Sequence, residues 1–211
     1  MKSLRLSSNA VAVLTFLLVV LVFPSMAPAL DLVLDARPGT LLISRHADLK
    51  AKGPDTFSSA PENLTVIEEA GTLNTLPNIR LGAGVDSTDW YVNGAGLVGY
   101  LVNSRYDCFF YGADVAGEYK YKKNVNVGPH LSFVEFQAPQ WSGQADVTFS
   151  DSYAFIPGVQ FSVGYDVQFV FSVDYVMAKP FDVSTKPPWK LDDDKVDISG
   201  VMFQFGLRGK F

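Results

Sequence analysis

From Val201 to the final Phe211 the chain changes character at every step. Val201, Phe203, Phe205, Leu207 and Phe211 fall on one parity, and Met202, Gln204, Gly206, Arg208 and Lys210 on the other. A β-strand sends successive side chains to opposite faces, so a period of two marks a strand with two different surroundings. One face is apolar and aromatic, the other polar and charged. Any fold that holds this segment must give each face its own medium.

The same test applies upstream. Phe169, Phe171, Val173, Tyr175 and Met177 share a parity opposite Gln168, Ser172 and Asp174, with Val170 and Val176 also on that second face. Val159, Phe161, Val163 and Tyr165 alternate with Gln160, Ser162, Gly164 and Asp166. Val125, Val127, Leu131 and Phe133 alternate with Asn126, Gly128, His130 and Ser132. Tyr111, Ala113, Val115, Tyr119 and Tyr121 alternate with Gly112, Asp114, Glu118 and Lys120. Ile79, Leu81, Ala83 and Val85 alternate with Arg80, Gly82, Gly84 and Asp86. Residues 90–102 are β-like, but their glycines leave the parity ambiguous. A further strand is expected within residues 30–45, where Leu32, Leu34, Leu41 and Ile43 are candidates for the apolar face. Arg37-Pro38-Gly39 interrupts that stretch and leaves its register open.

These runs are about ten residues long. At roughly 3.4 Å per residue and a tilt near 40°, each covers roughly 25 Å, the height of a membrane barrel's apolar band. A soluble sandwich also alternates. A soluble carrier barrel would place its apolar side chains inside. Here the apolar faces are aromatic and the polar faces carry both signs of charge, which favours the membrane version. The expected fold is all-β: an eight-stranded antiparallel transmembrane β-barrel with long external loops. Lipid would meet Tyr121, Phe161, Tyr165, Phe169, Phe171, Phe203, Phe205 and Phe211. The lumen would hold a paired network of Arg80, Asp86, Asp114, Glu118, Lys120, Asp166, Asp174, Arg208 and Lys210. Short joins at 122–124 and 166–167 read as turns on one side of the membrane. Long joins at 46–77, 137–154 and 179–197 read as loops on the other. Within the first loop, Ser59 reads as the cap of a short helix ending near Gly71.

The front of the chain supplies a compartment. Lys2 and Arg5 precede an apolar run over 10–23, and Ala27-Pro28-Ala29 matches a cleavage pattern. The run is shorter than the roughly 20 residues of a membrane helix. Residues 1–29 therefore read as a cleaved signal peptide and 30–211 as one barrel domain. Losing Lys2 and Arg5 leaves 15 basic residues against 22 acidic ones, a net charge of −7. That disfavours nucleic acid as a partner. Cys108 is the single cysteine, which excludes an intrachain disulfide.

Residues 155–166, the strand that follows to Tyr175, and the strand ending in Phe211 resemble the small OmpA-like outer-membrane β-barrel family. Gly128-Pro129-His130-Leu131-Ser132 is similar to the start of another strand of that family. The resemblance covers residues 78–211, and 31–77 depart from it. It implies an eight-stranded barrel with a filled lumen. It also implies insertion by the outer-membrane assembly machinery, which reads the terminal aromatic strand, and residence in a Gram-negative outer membrane.

Chemistry is sparse. His130 and Ser132, with Glu135 nearby, resemble the His-x-Ser of lipid A deacylases, where histidine is the base and serine the nucleophile. Parity turns both into the lumen, away from a lipid acyl chain, so hydrogen bonding there is the plainer role. Asp192-Asp193-Asp194 lacks the ligand spacing of a calcium loop, and neither a metal nor a cofactor is expected. Trp141 and Lys186-Pro187-Pro188-Trp189-Lys190 are candidate loop contacts. The leading expectation is a non-enzymatic outer-membrane barrel with a structural or surface-interaction role, in contact with membrane lipid and lipopolysaccharide. The alternatives are a membrane-embedded lipid A deacylase-like hydrolase and a soluble exported lipocalin-like carrier.

Overall fold

The computed structural model describes residues 30–54 and 65–211. The expected signal peptide and the start of the expected helix lie outside them. In chain order the strands are β1 (Leu30–His46), β2 (Leu49–Pro54), β3 (Thr65–Ala70), β4 (Leu73–Asn74), β5 (Asn78–Asp86), β6 (Trp90–Val102), β7 (Tyr106–Lys122) and β8 (Val125–Phe136). They continue as β9 (Gln140–Trp141), β10 (Val147–Phe149), β11 (Ser152–Gly164), β12 (Val167–Ala178), β13 (Phe181–Thr185), β14 (Lys190–Leu191) and β15 (Lys195–Lys210). The described residues contain no helix. Where the second half of one was expected, β3 forms instead. Val66 and Ile67 are β-branched, and the segment pairs antiparallel with β2 from Thr65 to Ala70.

Eight long strands pair in the order β1, β5, β6, β7, β8, β11, β12, β15, each antiparallel to the next, and β15 pairs again with β1. The sheet closes on itself, so none of these strands is left as an open edge. The turns β5–β6, β7–β8 and β11–β12 are short and lie at one end. Leu32 and Phe211 exchange two backbone hydrogen bonds at that end, of 2.9 and 3.0 Å. The loops containing β2–β4, β9–β10 and β13–β14 gather at the other end.

Between the two rims the outward face is apolar. Leu32, Leu81, Val98, Val115, Phe133, Phe161, Phe171 and Phe203 are all exposed, one or more from every wall strand. The inside has two zones. Towards the short turns it is polar, with Asp35, Arg37, Glu118, Gln160 and Arg208 buried. Towards the loops it is a packed apolar cluster including Leu42, Leu97, Phe110, Val134, Ile156 and Met202. That cluster continues into the loops through Leu49, Phe149, Phe181 and Trp189. The wall strands therefore run on past the charged zone and enclose a second, dry core.

The uncertain first strand owes its ambiguity to a bulge. Ala36 pairs with Leu207 but Gly39 with Phe205, so β1 holds one extra residue there. Before the bulge Leu32 and Leu34 point outward, and after it Leu41 and Ile43 do. Asp35 and Arg37 face inward before it, and Thr40, Leu42 and Ser44 after it. Gly39 is needed because the Phe205 ring lies over it: a Cβ there would sit 1.9 Å from the ring.

Candidate functional site

The polar zone is one connected network, built by alternate residues of seven wall strands. Arg37 (β1) pairs with Asp35 at 2.9 Å and donates to Gln160 at 2.8 Å. Arg208 (β15) pairs with Glu118 at 2.5 Å and reaches Asp35 at 3.4 Å. Glu118 (β7) also accepts from Gln160 Nε2 at 2.7 Å and from Ser162 Oγ at 2.5 Å. One layer nearer the loops, Arg80 (β5) pairs with Asp114 at 3.0 Å. Its Nη2 donates to Gln204, whose own Nε2 donates to Asp174 at 2.7 Å.

His130 (β8) sits between two carboxylates. Its Nδ1 lies 3.1 Å from Asp114 and its Nε2 2.5 Å from Asp174. Where both carboxylates are ionised they only accept, and the ring then donates from both nitrogens. Asp35, Asp114, Glu118 and Asp174 then face Arg37, Arg80, Arg208 and His130, and the charges cancel. An unpaired charge in such an interior would be very costly, and each acid here has a cationic or hydrogen-bonding partner.

The network differs from the expected one at its edges. Arg80, Asp114, Glu118, Asp174 and Arg208 lie inside it. Asp86 and Lys120 do not: they form a partly exposed ion pair with each other at the short-turn rim. Asp166 is exposed in the β11–β12 turn. Strict alternation continues to the strand ends, but at the level of the turns the inward direction already opens to solvent. Lys210 is half-buried, with its Nζ 3.3 Å from the centre of the Tyr91 ring. Asp35 and Arg37 were missed because the bulge hid their parity, although Arg37 is among the largest fully buried side chains.

Of the expected outward aromatics, Tyr121, Phe161, Tyr165, Phe169, Phe171, Phe203, Phe205 and Phe211 are all exposed, Phe211 most of all at 74%. Ser132 Oγ donates to Asp114 at 2.6 Å, and both His130 nitrogens are taken by carboxylates. A nucleophilic serine needs its hydroxyl on the base. Here both residues serve Asp114, deep inside the closed sheet.

At the loop end the carboxylates act as staples. Glu68 (β3) accepts from Trp141 Nε1 at 2.9 Å, Gln144 N at 2.6 Å and Ala145 N at 3.3 Å. Burial pushes its pKa up, but the two backbone N–H groups, the indole and nearby Arg105 outweigh this and hold it below the ordinary 4.5. Asp192 accepts from Lys50 N at 2.8 Å and Asp193 from Lys195 N at 3.1 Å. Among the described residues no group of three His, Cys, Asp or Glu side chains could hold a metal ion. The tryptophans singled out as loop contacts turn inward instead. Trp189 is buried against Gly53, and Trp141 is half-buried beside Phe149.

No family model and no curated protein matches the chain. Solved structures with similar layout include the outer membrane protein OprG from Pseudomonas aeruginosa, at 12% identity and TM-score 0.48. That match covers 87% of this chain and 97% of that one. Ail, the attachment invasion locus protein of Yersinia pestis, gives 12% identity and TM-score 0.34, covering 88% of this chain and 100% of that one. The outer membrane protease OmpT from Escherichia coli gives 9% identity and TM-score 0.38, covering 89% and 98%. None of the three reaches a TM-score of 0.5, and they assign the chain to no family, OmpA-like or other.

Proposed function

We propose that this chain is an eight-stranded transmembrane barrel of a Gram-negative outer membrane, with a structural or surface-interaction role and no catalytic one. The reading is carried by one observation: the polarity of the fold is inverted. Large apolar side chains cover the outside of every wall strand, while four carboxylates and three arginines are buried within. A soluble monomer rarely exposes an apolar patch larger than a few hundred Å². A continuous belt around a closed sheet has its natural solvent in hydrocarbon, where closure is also obligatory. A lipocalin-like carrier would need the opposite arrangement. The signal-like residues 1–29 supply an export route, and the aromatic C-terminal strand suits the outer-membrane assembly machinery.

The catalytic alternative has no geometric support, since no serine–histidine hydrogen bond is formed at His130 and Ser132. The loops carry the surface role: their shared apolar core and carboxylate staples hold an ordered platform above the wall. Fractionation of cells expressing the full chain tests the reading. Recovery in the outer-membrane fraction, extractable only with detergent and beginning at Leu30, is the expected result. Recovery in buffer without detergent would overturn it.

A further inference from the structure

Charge is distributed unevenly around the loop-side rim. Between Lys123 and Lys179 the sequence contains no lysine or arginine. The β8 and β11 sector of the rim accordingly carries only acids, Glu135 and Asp151, and β7 adds Asp107 beside Arg105, whose guanidinium donates to the Ser142 carbonyl at 3.2 Å. Two of these acids are engaged within the chain: Asp107 accepts from Tyr100 OH at 2.6 Å and Asp151 from Ala138 N at 2.7 Å. Two exposed cations stand on the adjacent sector. Ile43, Val201 and Tyr175 form one outward row across β1, β15 and β12. Just above that row β1 presents Arg45, level with Ser199 of β15, and one step higher stands Lys179, directly after β12 and level with Asp197 of β15. Both cations are exposed, and neither makes an ion pair among the described residues. Asp197 accepts from the backbone N–H of Ser199 at 2.8 Å. Further up, Lys195 faces Asp182 in register.

We propose that Arg45 and Lys179 bind the phosphate of an anionic lipid in the leaflet on the loop side. The inference rests on the membrane reading above and names a partner for that wall. The two residues stand two strands apart and one step offset, roughly 12 Å across the sheet. Two long side chains can converge on a phosphate over that span, with guanidinium and ammonium both suited to it. Ile43, Val201, Tyr175 and Met177 lie beneath to receive the acyl chains. A free phosphate would gain only the exposed, salt-screened ion pairs and none of this apolar contact. The acidic sector repels the same group, so the lipid is placed on one side of the barrel.

The test uses the full chain folded in nonionic micelles, titrated with short-chain phosphatidic acid. Phosphatidylcholine of equal chain length and inorganic phosphate serve as comparisons, and native mass spectrometry reads the bound fraction. Phosphatidic acid is expected to bind in preference to phosphatidylcholine, and R45Q/K179Q to weaken it roughly tenfold. K122Q/K123Q, at the opposite rim, is expected to leave it unchanged. Equal binding by R45Q/K179Q and the parent would overturn the site. So would equal loss in both double variants, which signals general surface charge. Displacement by millimolar inorganic phosphate would mean a free-anion site and overturn the lipid assignment. A chain that stays folded and monodisperse without detergent would refute the membrane reading itself, and the site with it.

Discussion

Gly158 has no room for a side chain: a Cβ would fall 1.8 Å from Asp174 Oδ1 and 2.8 Å from His130 Nε2. Gly158→Ala is therefore expected to part the histidine from its acid and cost about 1–3 kcal/mol in urea unfolding from micelles. Arg208→Leu strands Glu118 and weakens the hold on Asp35, and is expected to cost about 3–5 kcal/mol in the same measurement. Glu68 gives a pH dependence. Its folded pKa lies below the ordinary value, so its contribution is complete above pH 4.5 and fades as pH falls through the lower, folded value. Hydrogen exchange, corrected for intrinsic rate, should show protection at the Gln144 and Ala145 amides disappearing over that acid range. In Glu68→Gln that protection should already be lost at neutral pH. A variant with the parent's acid profile would refute the staple.

Strands obey the burial they are given. Phe171 lies midway along the outward face of β12, and Phe171→Arg is expected to destabilise by about 2–4 kcal/mol, against about 0–1 for Tyr165→Arg at the turn. Equal costs at the two positions would argue against a hydrocarbon belt. Parity alone made β5, β7, β8, β11, β12 and β15 legible, because each has one medium on each side over the stretch between the short-turn rim and the loop-side core. It reached Arg80, Asp114, Glu118, Asp174 and Arg208 for the same reason. It failed where that condition fails. At the rim, Asp86 and Asp166 keep the inward parity but have no interior left to face. In β1 the bulge reverses parity at midstrand and hid Asp35 and Arg37. The dry core at the loop end was also hidden, since Phe110, Phe136 and Ile156 continue the polar parity with apolar residues. The short loop strands carry too few residues for any period to show, and they form only because the shared core orders them.

The molecule as a whole is stoppered. Charged pairs fill the short-turn half of the interior, and Leu42, Leu97, Phe110, Val134, Ile156 and Met202 fill the rest. Side chains fill the inside of a ring of this strand number. Planar-bilayer recordings of the purified protein are expected to show no steady single-channel steps, and regular steps would contradict the packed interior. The extra residue in β1 bears on the whole ring as well, because β1 is the strand on which the ring shuts. β1 behaves like a message with a shifted reading frame. Its first half is spelled to match β5, its second half is spelled one letter later, and β15 must be read against both. Excising Pro38 would remove the extra residue: Arg37 and Thr40 would then stand two apart, and Ala36, Arg37 and Gly39 would face Leu207, Gly206 and Phe205 in unbroken register. Asp35, Arg37, Thr40, Leu42 and Ser44 would all keep the inward parity. Losing that one residue is thus expected to be better tolerated than losing Leu42, which would turn Ser44 outward, and recovery of each shortened chain in the outer-membrane fraction reads the difference.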